Sequence, residues 1–303
     1  MRSCWRCWTR GRTRLPTSSR RNGLTPRSVK PEFPIDAITI EILRAVAASA
    51  QAAGIDYMLV GATGRDILLK HVFGLAPDRA TRDVDFAVAV KDWQQFEALR
   101  QRLLATAQFS AGKAPQCLVY QGESGRPGVP VDLVPFGGVA QGNEIAWPPD
   151  MQVMMNVAGY TDAIAAAEEV NFAQDCTGKV VSLPGLAVLK LVAWSERGKE
   201  NAKDAIDLFH LMTHYVDAGN ADRIYEEAAI IEAVDYDPVR AGIALLGKDM
   251  VRLASDETIE LLRHIIDRDF DRLALAMIKS RRMLDDISQQ VESQLRLLRE
   301  WLN

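Results

Sequence analysis

Two aspartates one residue apart interrupt an apolar segment, and this pattern restricts the possible fold more than any other feature of the chain. Residues 81–90 read TRDVDFAVAV and contain Asp83 and Asp85. A β-strand directs alternate side chains to opposite faces, so the two carboxylates share one face and the apolar side chains share the other. Like charges at this spacing repel each other unless water screens them or a cation binds between them. The pattern therefore predicts a strand whose polar face borders solvent or a cation site.

Composition indicates a globular protein with a substantial core. The chain has 303 residues, of which 48% are hydrophobic and 25% are charged. No apolar stretch approaches the roughly 18 uncharged residues that a membrane span requires, so no membrane role is expected. Its four cysteines are too few and too scattered for a disulfide framework, which favours a reducing, cytoplasmic location.

Charge separates the N-terminus from the rest of the chain. Residues 1–33 carry nine Lys and Arg against one Glu, a net charge of +8, whereas the remainder has 27 Lys and Arg against 39 Asp and Glu, a net charge of −12. The first 33 residues lack hydrophobic periodicity and are predicted to form a disordered basic tail. An acidic body argues against broad non-specific binding of nucleic acid but permits a local basic groove.

The hydrophobic pattern changes near residue 180. Residues 34–180 alternate between helical and strand-like periodicity, with helices predicted in 36–53, 64–73 and 92–104 and buried strands in 55–61 and 81–90. Short strands are predicted at CLVY, VPVDLVPF, EIAW and KVVSL. Residues 181–303 show helical periodicity almost throughout. The sequence thus predicts an α+β protein with a core at 34–180 and a helical C-terminal domain at 181–303.

A glycine turn lies 22 residues before Asp83. The segment LVGATGRD reads as a strand that breaks at Gly61 and opens a helix, which exposes backbone N–H groups to an approaching phosphate. The simpler alternative is that Thr63 caps the helix in a capping box with Asp66.

A third carboxylate interrupts a later apolar strand, where GVPVDLVPFG contains Asp132. A phosphate-binding turn followed by three strand aspartates supplies the oxygen ligands that Mg²⁺ uses in phosphoryl transfer. The alternative is that all three aspartates are solvated surface residues.

This order of motifs resembles that of the DNA polymerase β-type nucleotidyltransferases. The matching residues are Gly61, Ala62 and Thr63 in the turn, Asp83 and Asp85 in the Asp-x-Asp, and the later strand residue Asp132. The resemblance implies a mixed sheet flanked by helices.

A narrower resemblance, over roughly residues 55–215, is to the AbiEii and MenT toxin nucleotidyltransferases. It rests on LAVLKLVAWSERGKENAKDAIDL, which has a lysine on one helix and an aspartate that begins the next. By this likeness Lys190 contacts the nucleotide phosphates and Asp204 supports catalysis. Alternatively, Lys190 is a surface lysine with its aliphatic stem packed against the helix, and Asp204 is an ordinary acid in the first turn of a helix that Asn201 caps.

Two other interpretations stay open. Arg65 and Asp66 after the turn also resemble the Gly-Gly-x-x-Arg-Asp of tRNA CCA-adding enzymes, although the Arg-Arg-Asp segment of the bacterial type is absent. A non-catalytic relative that binds a nucleotide without turnover is the second alternative.

The toxin resemblance implies transfer of a nucleoside monophosphate from an NTP to an acceptor hydroxyl, with release of pyrophosphate. By this likeness Asp83, Asp85 and Asp132 bind Mg²⁺ or Mn²⁺, and Asp132 also takes the proton of the attacking hydroxyl. Gly61, Ala62 and Thr63 bind the triphosphate, whose charge Arg65 and Lys190 neutralise. The implied acceptor is RNA, with tRNA as a candidate, and the implied partner is a winged-helix antitoxin.

Overall fold

The computed structural model describes residues 26–76, 83–121, 127–279 and 285–303. Cys4, Cys7 and most of the predicted basic tail lie outside these ranges. The strands within them are β1 Arg27–Ser28, β2 Asp56–Val60, β3 Val84–Val90, β4 Phe109–Ala111, β5 Cys117–Tyr120, β6 Val129–Gly137, β7 Glu144–Ala146, β8 Met154–Asn156, β9 Glu168–Ala173 and β10 Cys176–Val180.

The helices of the described ranges divide unevenly around residue 180. Those before it are α1 Ala37–Ala52, α2 Gly61–Asp66, α3 Trp93–Ala105 and α4 Tyr160–Ala165. Those after it are α5 Leu183–Arg197, α6 Lys203–His214, α7 Arg223–Glu226, α8 Ala228–Ala233, α9 Pro238–Leu253, α10 Asp256–Lys279 and α11 Asp285–Trp301. A π-helical segment, Ile67–Phe73, continues α2.

Eight of the described strands form one mixed sheet in the order β1-β9-β10-β2-β3-β6-β5-β4. The pairs β1–β9, β10–β2 and β3–β6 are parallel, and the other neighbours are antiparallel. The central strand β3 lies between β2 and β6, so the segment that carries the Asp-x-Asp is flanked on both sides. The predicted mixed sheet flanked by helices is confirmed.

Helices α1 and α3 pack against each other and against the sheet. Each begins at an aspartate cap: Asp36 accepts a hydrogen bond from the backbone N–H of Thr39, and Asp92 accepts one from that of Gln95. Such caps satisfy backbone donors that the first helical turn leaves unpaired. The predicted helices at 36–53 and 92–104 are therefore present with nearly the expected bounds.

The helical part begins directly after the last strand. Ser182 caps α5, and α5 packs against α6, α9 and α10, while α11 packs against α9 and α10. Long apolar side chains such as Leu262 and Leu298 are fully buried in this packing. In the described ranges, no helix combines the length and apolar character that a membrane crossing needs.

The N-terminal prediction needs a correction. Residues 26–33 belong to the segment predicted to be disordered, yet β1 pairs with β9 through the registers Arg27–Val170 and Ser28–Asn171. Arg27 also forms an ion pair with Glu168. Two residues are too short for a periodicity signal, and pairing with a distant strand supplies the order that the local sequence lacks.

Gly159 is the N-cap residue of α4 and allows this helix to approach α5 closely. Its φ of +76° lies in the left-handed region, and a Cβ added there would lie 2.7 Å from Cγ1 of Val188. Left-handed backbone costs an L-residue roughly 1–2 kcal/mol, and overpacking a tight contact costs about 1–3 kcal/mol more. Gly159→Ala should therefore lower the free energy of unfolding, measured in urea, by about 2–5 kcal/mol.

Gly142→Ala is the matched control for this substitution. Gly142 has a φ of +62°, but no atom lies within 4 Å of the added Cβ. This variant should show only the backbone strain of roughly 1–2 kcal/mol. Equal losses in the two variants would contradict the close packing of α4 on α5.

Candidate active site

Asp85 and Asp132 are direct neighbours in the sheet. The parallel pairing of β3 with β6 places Asp85 opposite Asp132, and the antiparallel pairing of β2 with β3 places Asp85 opposite Val60. Asp83 precedes β3 by one residue and is exposed. Because side chains alternate along a strand, all three carboxylates emerge on one face. We call this set of three, Asp83, Asp85 and Asp132, the carboxylate wall.

Gly61 directly follows β2 and lies against the carboxylate wall. A Cβ at this position would lie 1.9 Å from Oδ2 of Asp85, and the φ of Gly61 is +66°. Only glycine permits both this backbone conformation and this approach. The predicted turn is thus brought next to the predicted metal ligands.

Thr63 is not the helix cap that the capping-box alternative assumed, and its hydroxyl contacts the segment that carries Asp83. Helix α2 already begins at Gly61, so Thr63 lies inside the helix rather than at its cap. Its hydroxyl donates a hydrogen bond of 2.6 Å to the backbone carbonyl of Asp83. The capping box is therefore wrong, and Thr63 instead fixes the start of the strand that carries two of the carboxylates.

A cleft of about 560 Å³ opens in front of the carboxylate wall. One side is lined by Gly61, Ala62 and the three aspartates, and the other side by residues of α4, α5 and α6 that include Tyr160, Lys190, Arg197 and Asp204. The structure therefore brings most of the predicted site residues together. Thr63 and Arg65 are the two that lie outside the lining of the cleft.

In two carboxylates of the wall, Asp85 and Asp132, the surroundings disfavour the ionised form. Burial, followed by the charges of Asp132 and Asp83, raises the pKa of Asp85 to about 6. Burial also raises the pKa of Asp132, and Asp83 adds to the rise, although a hydrogen bond with Cys117 opposes it. Shifts in this direction arise when desolvation and like charges disfavour the ionised form. A bound cation would relieve both causes.

The donor set fits a magnesium ion that is completed by substrate. Among the residues that the structure describes, no three His, Cys, Asp or Glu side chains converge as a preformed metal cage. Mg²⁺ commonly takes one or two carboxylates and completes its octahedron with water and substrate phosphates. The adjacent Asp85 and Asp132, with raised pKa values and a cleft before them, match this mode of binding.

Lys190 is buried on α5 and faces two aspartates of α6. Its Nζ lies 3.1 Å from Oδ1 of Asp204 and 2.7 Å from Oδ2 of Asp207. The lysine side chain is 8% exposed and both carboxylates are fully buried. The alternative of a surface lysine is therefore wrong, and Lys190 directly contacts Asp204, the other residue that the toxin resemblance assigns to the site.

Arg197 completes the positive side of the cleft. Its guanidinium donates to both carboxylate oxygens of Asp204, at 2.6 and 2.9 Å, while more than half of its side chain stays exposed. Burial alone would raise the pKa of Asp204, but Arg197 and Lys190 outweigh it and hold that pKa below its ordinary value. We call Lys190 and Arg197 the cation wall.

Arg65 lies behind the cleft rather than in it. Its guanidinium is 1% exposed and forms ion pairs with Asp66, at 2.6 Å, and with Asp207. Asp207 thus contacts both Arg65 and Lys190. Helix α2, which carries the glycine turn, is in this way linked to α5 and α6 through a chain of buried charges.

Three residues of the site were not predicted from the sequence. Arg197 lies seven residues after Lys190, which is two helical turns, and Asp207 lies three residues after Asp204. Both spacings place the new residue on the same helical face as its partner, so this periodicity was a usable signal. Tyr160 lies in a short helix with no periodic pattern, and the sequence carries no comparable signal for it.

The family of the chain follows from comparison with known proteins. A model of the nucleotidyl transferase AbiEii toxin family, type IV toxin–antitoxin system, matches residues 42–300. The chain belongs to the AbiEii family. It is a nucleotidyltransferase, and membership implies an NTP substrate and an antitoxin partner. No curated protein sequence matches this AbiEii chain.

Several solved structures resemble this AbiEii chain weakly. An antigenic nucleotidyltransferase-like protein from Paracoccidioides brasiliensis is 15% identical, with 69% of this chain and 95% of that chain covered and a TM-score of 0.41. The antibiotic-resistance factor ANT(2″)-Ia is 12% identical, with coverages of 67% and 100% and a TM-score of 0.37. The Thermotoga maritima CCA-adding enzyme complexed with tRNA is 10% identical, with coverages of 88% and 82% and a TM-score of 0.25. At such TM-scores these likenesses support no statement about substrate.

Removal of Lys190 should destabilise the protein. Lys190→Ala leaves the buried carboxylates of Asp204 and Asp207 with one arginine partner each, and breaking a buried ion pair usually costs about 3–5 kcal/mol. Because each aspartate keeps one partner, we expect a loss of about 2–4 kcal/mol in the free energy of unfolding in urea. Lys199→Ala, at an exposed lysine that follows the C-terminal end of α5, should change it by less than about 0.5 kcal/mol. Equal stability of the two variants would contradict the buried ion pairs of Lys190.

Asp85→Asn should stabilise the protein in metal-free buffer above pH 6. The folded pKa of Asp85 is about 6 and its ordinary value is 3.8, so ionisation disfavours the folded state. The penalty is absent below about pH 4, grows between pH 4 and 6, and is complete above pH 6. With EDTA present, the variant should exceed wild type by about 1–3 kcal/mol at pH 7.5 and match it near pH 4.

Asp217→Asn is the matched control, because this aspartate is exposed and is not part of the cleft lining. It should leave the pH profile unchanged. A lower stability of Asp85→Asn at pH 7.5 would show that Asp85 is not strained by its neighbours.

Proposed function

We propose that this AbiEii protein is a divalent-metal-dependent enzyme that transfers a nucleoside monophosphate from an NTP to a hydroxyl group of RNA. The observation that carries the proposal is the position of Asp85 beside Asp132 and against the glycine turn at Gly61. Lys190 and Arg197 line the same cleft from the helical side. Negative and positive walls that face each other across a cleft suit a metal-bound triphosphate.

The carboxylate wall is the proposed metal site. Asp83, Asp85 and Asp132 would hold Mg²⁺, or Mn²⁺ in its place. When bound, such a metal neutralises the charge that develops on the phosphoryl oxygens and on the leaving pyrophosphate. The raised pKa of Asp85 supports this role, because a carboxylate strained by its neighbours gains most from a cation.

Asp132 is the proposed general base. The acceptor oxygen attacks the α-phosphorus, the bond between the α-phosphorus and the bridging oxygen of pyrophosphate breaks, and the hydroxyl proton passes to the carboxylate of Asp132. Burial and Asp83 raise the pKa of Asp132. A raised pKa makes a carboxylate a stronger proton acceptor, which supports the assignment.

The remaining predicted residues would bind and orient the triphosphate. The backbone of Gly61 and Ala62 lines the cleft beside the wall, and Lys190 faces it from α5. Asp204 would act by orienting Lys190 and Arg197, which it contacts directly. Arg65 would act through Asp207, since its guanidinium is buried away from the cleft, and Thr63 through the backbone of Asp83.

The helical part is the proposed source of acceptor selectivity. We propose a nucleotidyltransferase core at 34–180 and a helical domain at 181–303, with the cleft between them open to RNA, of which tRNA is a candidate. A winged-helix antitoxin is the proposed partner, and the proposed location is cytoplasmic. The net charge of −12 after residue 33 favours recognition at a local site over binding along extended phosphate backbone.

Asp132→Asn should separate nucleotide binding from transfer. We would incubate the purified protein with each labelled NTP, Mg²⁺ and total RNA, and measure label in the RNA and in the protein. The asparagine cannot accept the proton, so transfer should fall by about 100-fold or more. Thermal stabilisation by Mg²⁺ and NTP should largely persist, because Asp83 and Asp85 remain.

Asp83→Asn provides the comparison, since it should lose the stabilisation by Mg²⁺ and NTP as well as transfer. Transfer by Asp132→Asn at the wild-type rate would remove this carboxylate from the reaction. Failure of the wild type to label any acceptor with any NTP would favour the non-catalytic alternative.

A further inference from the structure

Tyr160 is the one residue with a neutral hydroxyl among the charged groups that line the cleft in the described ranges. It is the first residue of α4 and belongs neither to the carboxylate wall nor to the cation wall. The proposed reaction above gives it no role. Its position, however, is fixed from three sides, which indicates a function for the hydroxyl.

The aromatic ring of Tyr160 packs against the strand that carries Asp132. Its centroid lies 5.7 Å from that of Phe136 on β6. Alternate residues of β6 share one face of the strand, which places Asp132, Val134 and Phe136 on the same face. Two of them, Asp132 and Val134, line the cleft. The ring therefore lies along the same strand face as the proposed general base.

The backbone around Tyr160 is held by the helical part of the protein. Gly159 approaches Val188 of α5 so closely that a Cβ would lie 2.7 Å from it. Two residues after Tyr160, Asp162 accepts a hydrogen bond of 2.7 Å from the hydroxyl of Thr258 in α10. These contacts leave α4 little freedom to move the ring.

Tyr160 lines the same cleft as the carboxylate wall and the cation wall. Burial raises the pKa of Tyr160, the carboxylate of Asp85 raises it further, and the guanidinium of Arg197 opposes the rise. The phenol therefore stays protonated at neutral pH and keeps a hydrogen to donate. A group close to both walls lies where the phosphate chain must pass between metal and cations.

We infer that Tyr160 is a catalytic residue whose hydroxyl donates a hydrogen bond to a non-bridging oxygen of the α-phosphate during transfer. This inference rests on the proposed function. In phosphoryl transfer the non-bridging oxygens share the charge of the transition state, and a fixed neutral donor stabilises that charge without repelling the metal. The walls supply full charges on either side, and Tyr160 supplies a directed hydrogen bond between them.

The first test compares Tyr160→Phe with wild type in the transfer assay. Loss of one fixed donor should lower kcat by about 10- to 100-fold. The KM for NTP and the thermal stabilisation by Mg²⁺ and NTP should stay near wild-type values, because the walls still bind the triphosphate. Tyr57→Phe removes a hydroxyl from a half-buried tyrosine outside the cleft lining and should retain full activity.

Sulfur substitution locates the hydrogen bond on the substrate. Each diastereomer of an NTPαS replaces one non-bridging α-oxygen by sulfur, which is a weaker acceptor. In wild type, the diastereomer that loses the Tyr160 contact should react more slowly than the NTP, and this rate ratio should fall several-fold toward one in Tyr160→Phe. Rate ratios that are identical in wild type and Tyr160→Phe for both diastereomers would overturn the inference. A Tyr160→Phe variant with a changed preference for NTP over dNTP but unchanged sulfur effects would overturn it as well.

A spectroscopic measurement keeps the inference testable if no acceptor is labelled. Protein prepared with 3-fluorotyrosine should show a ¹⁹F resonance that is absent in Tyr160→Phe and that shifts when Mg²⁺ and a non-hydrolysable NTP are added. Absence of this shift, in protein that the NTP stabilises thermally, would overturn the contact. An inactive wild type whose Tyr160 resonance shifts would instead contradict the proposed transfer reaction alone.

Discussion

The parallel pairing of β3 with β6 is the constraint on which the rest of the site depends. It places the carboxylates of Asp85 and Asp132 side by side, where burial raises both pKa values and the charge of Asp132 raises that of Asp85 further. Neither strand can slip by one residue to relieve this repulsion, because a slip would turn the buried Phe86 and Leu133 toward the cleft. The hydrophobic core therefore enforces a charge arrangement that is unfavourable by itself, and the glycine at position 61 brings a second backbone segment against it.

A chain of buried ion pairs joins the sheet to the helices that complete the site. Arg65 contacts Asp66 and Asp207, Asp207 contacts Lys190, and Lys190 and Arg197 both contact Asp204. Buried ion pairs contribute little net stability, since desolvation offsets their attraction. What they provide here is geometry: the turn beside the carboxylate wall and the cations opposite it are held at a set separation by directed contacts.

The sequence was most informative where a local period carries the signal. Alternation along one strand was enough to predict that Asp83 and Asp85 share a face, and the turn at Gly61 was predicted from its strand–glycine–helix pattern. Asp132 was grouped with them through the ligand chemistry of Mg²⁺ and the family resemblance. The adjacency of Asp85 and Asp132 was beyond such reasoning, because 47 residues and two further strands separate them. The sequence also did not show that Arg65 is buried, because an arginine after a glycine turn is expected to be an exposed phosphate ligand. Arg65 instead lies behind the cleft, where it pairs with Asp207, 142 residues away in the sequence.

The charge balance of the cleft bears on whether a nucleotide would bind as the free anion or as its metal complex. Beside the cleft, Arg65, Lys190 and Arg197 form ion pairs with Asp66, Asp204 and Asp207. The charged side chains that line the described cleft are acidic at Asp83, Asp85, Asp132, Glu196 and Asp204 and basic at Lys190, Arg197 and Lys203, so acidic groups outnumber basic ones. The carboxylate wall would repel a triphosphate that carries no metal. A triphosphate that is bound to a divalent metal would instead bring the cation that neutralises the carboxylates. Under the proposed function, because Lys190 and Arg197 are already paired with aspartates, the metal would favour nucleotide binding as well as the chemistry, and the cleft would select the metal complex of an NTP over the free anion.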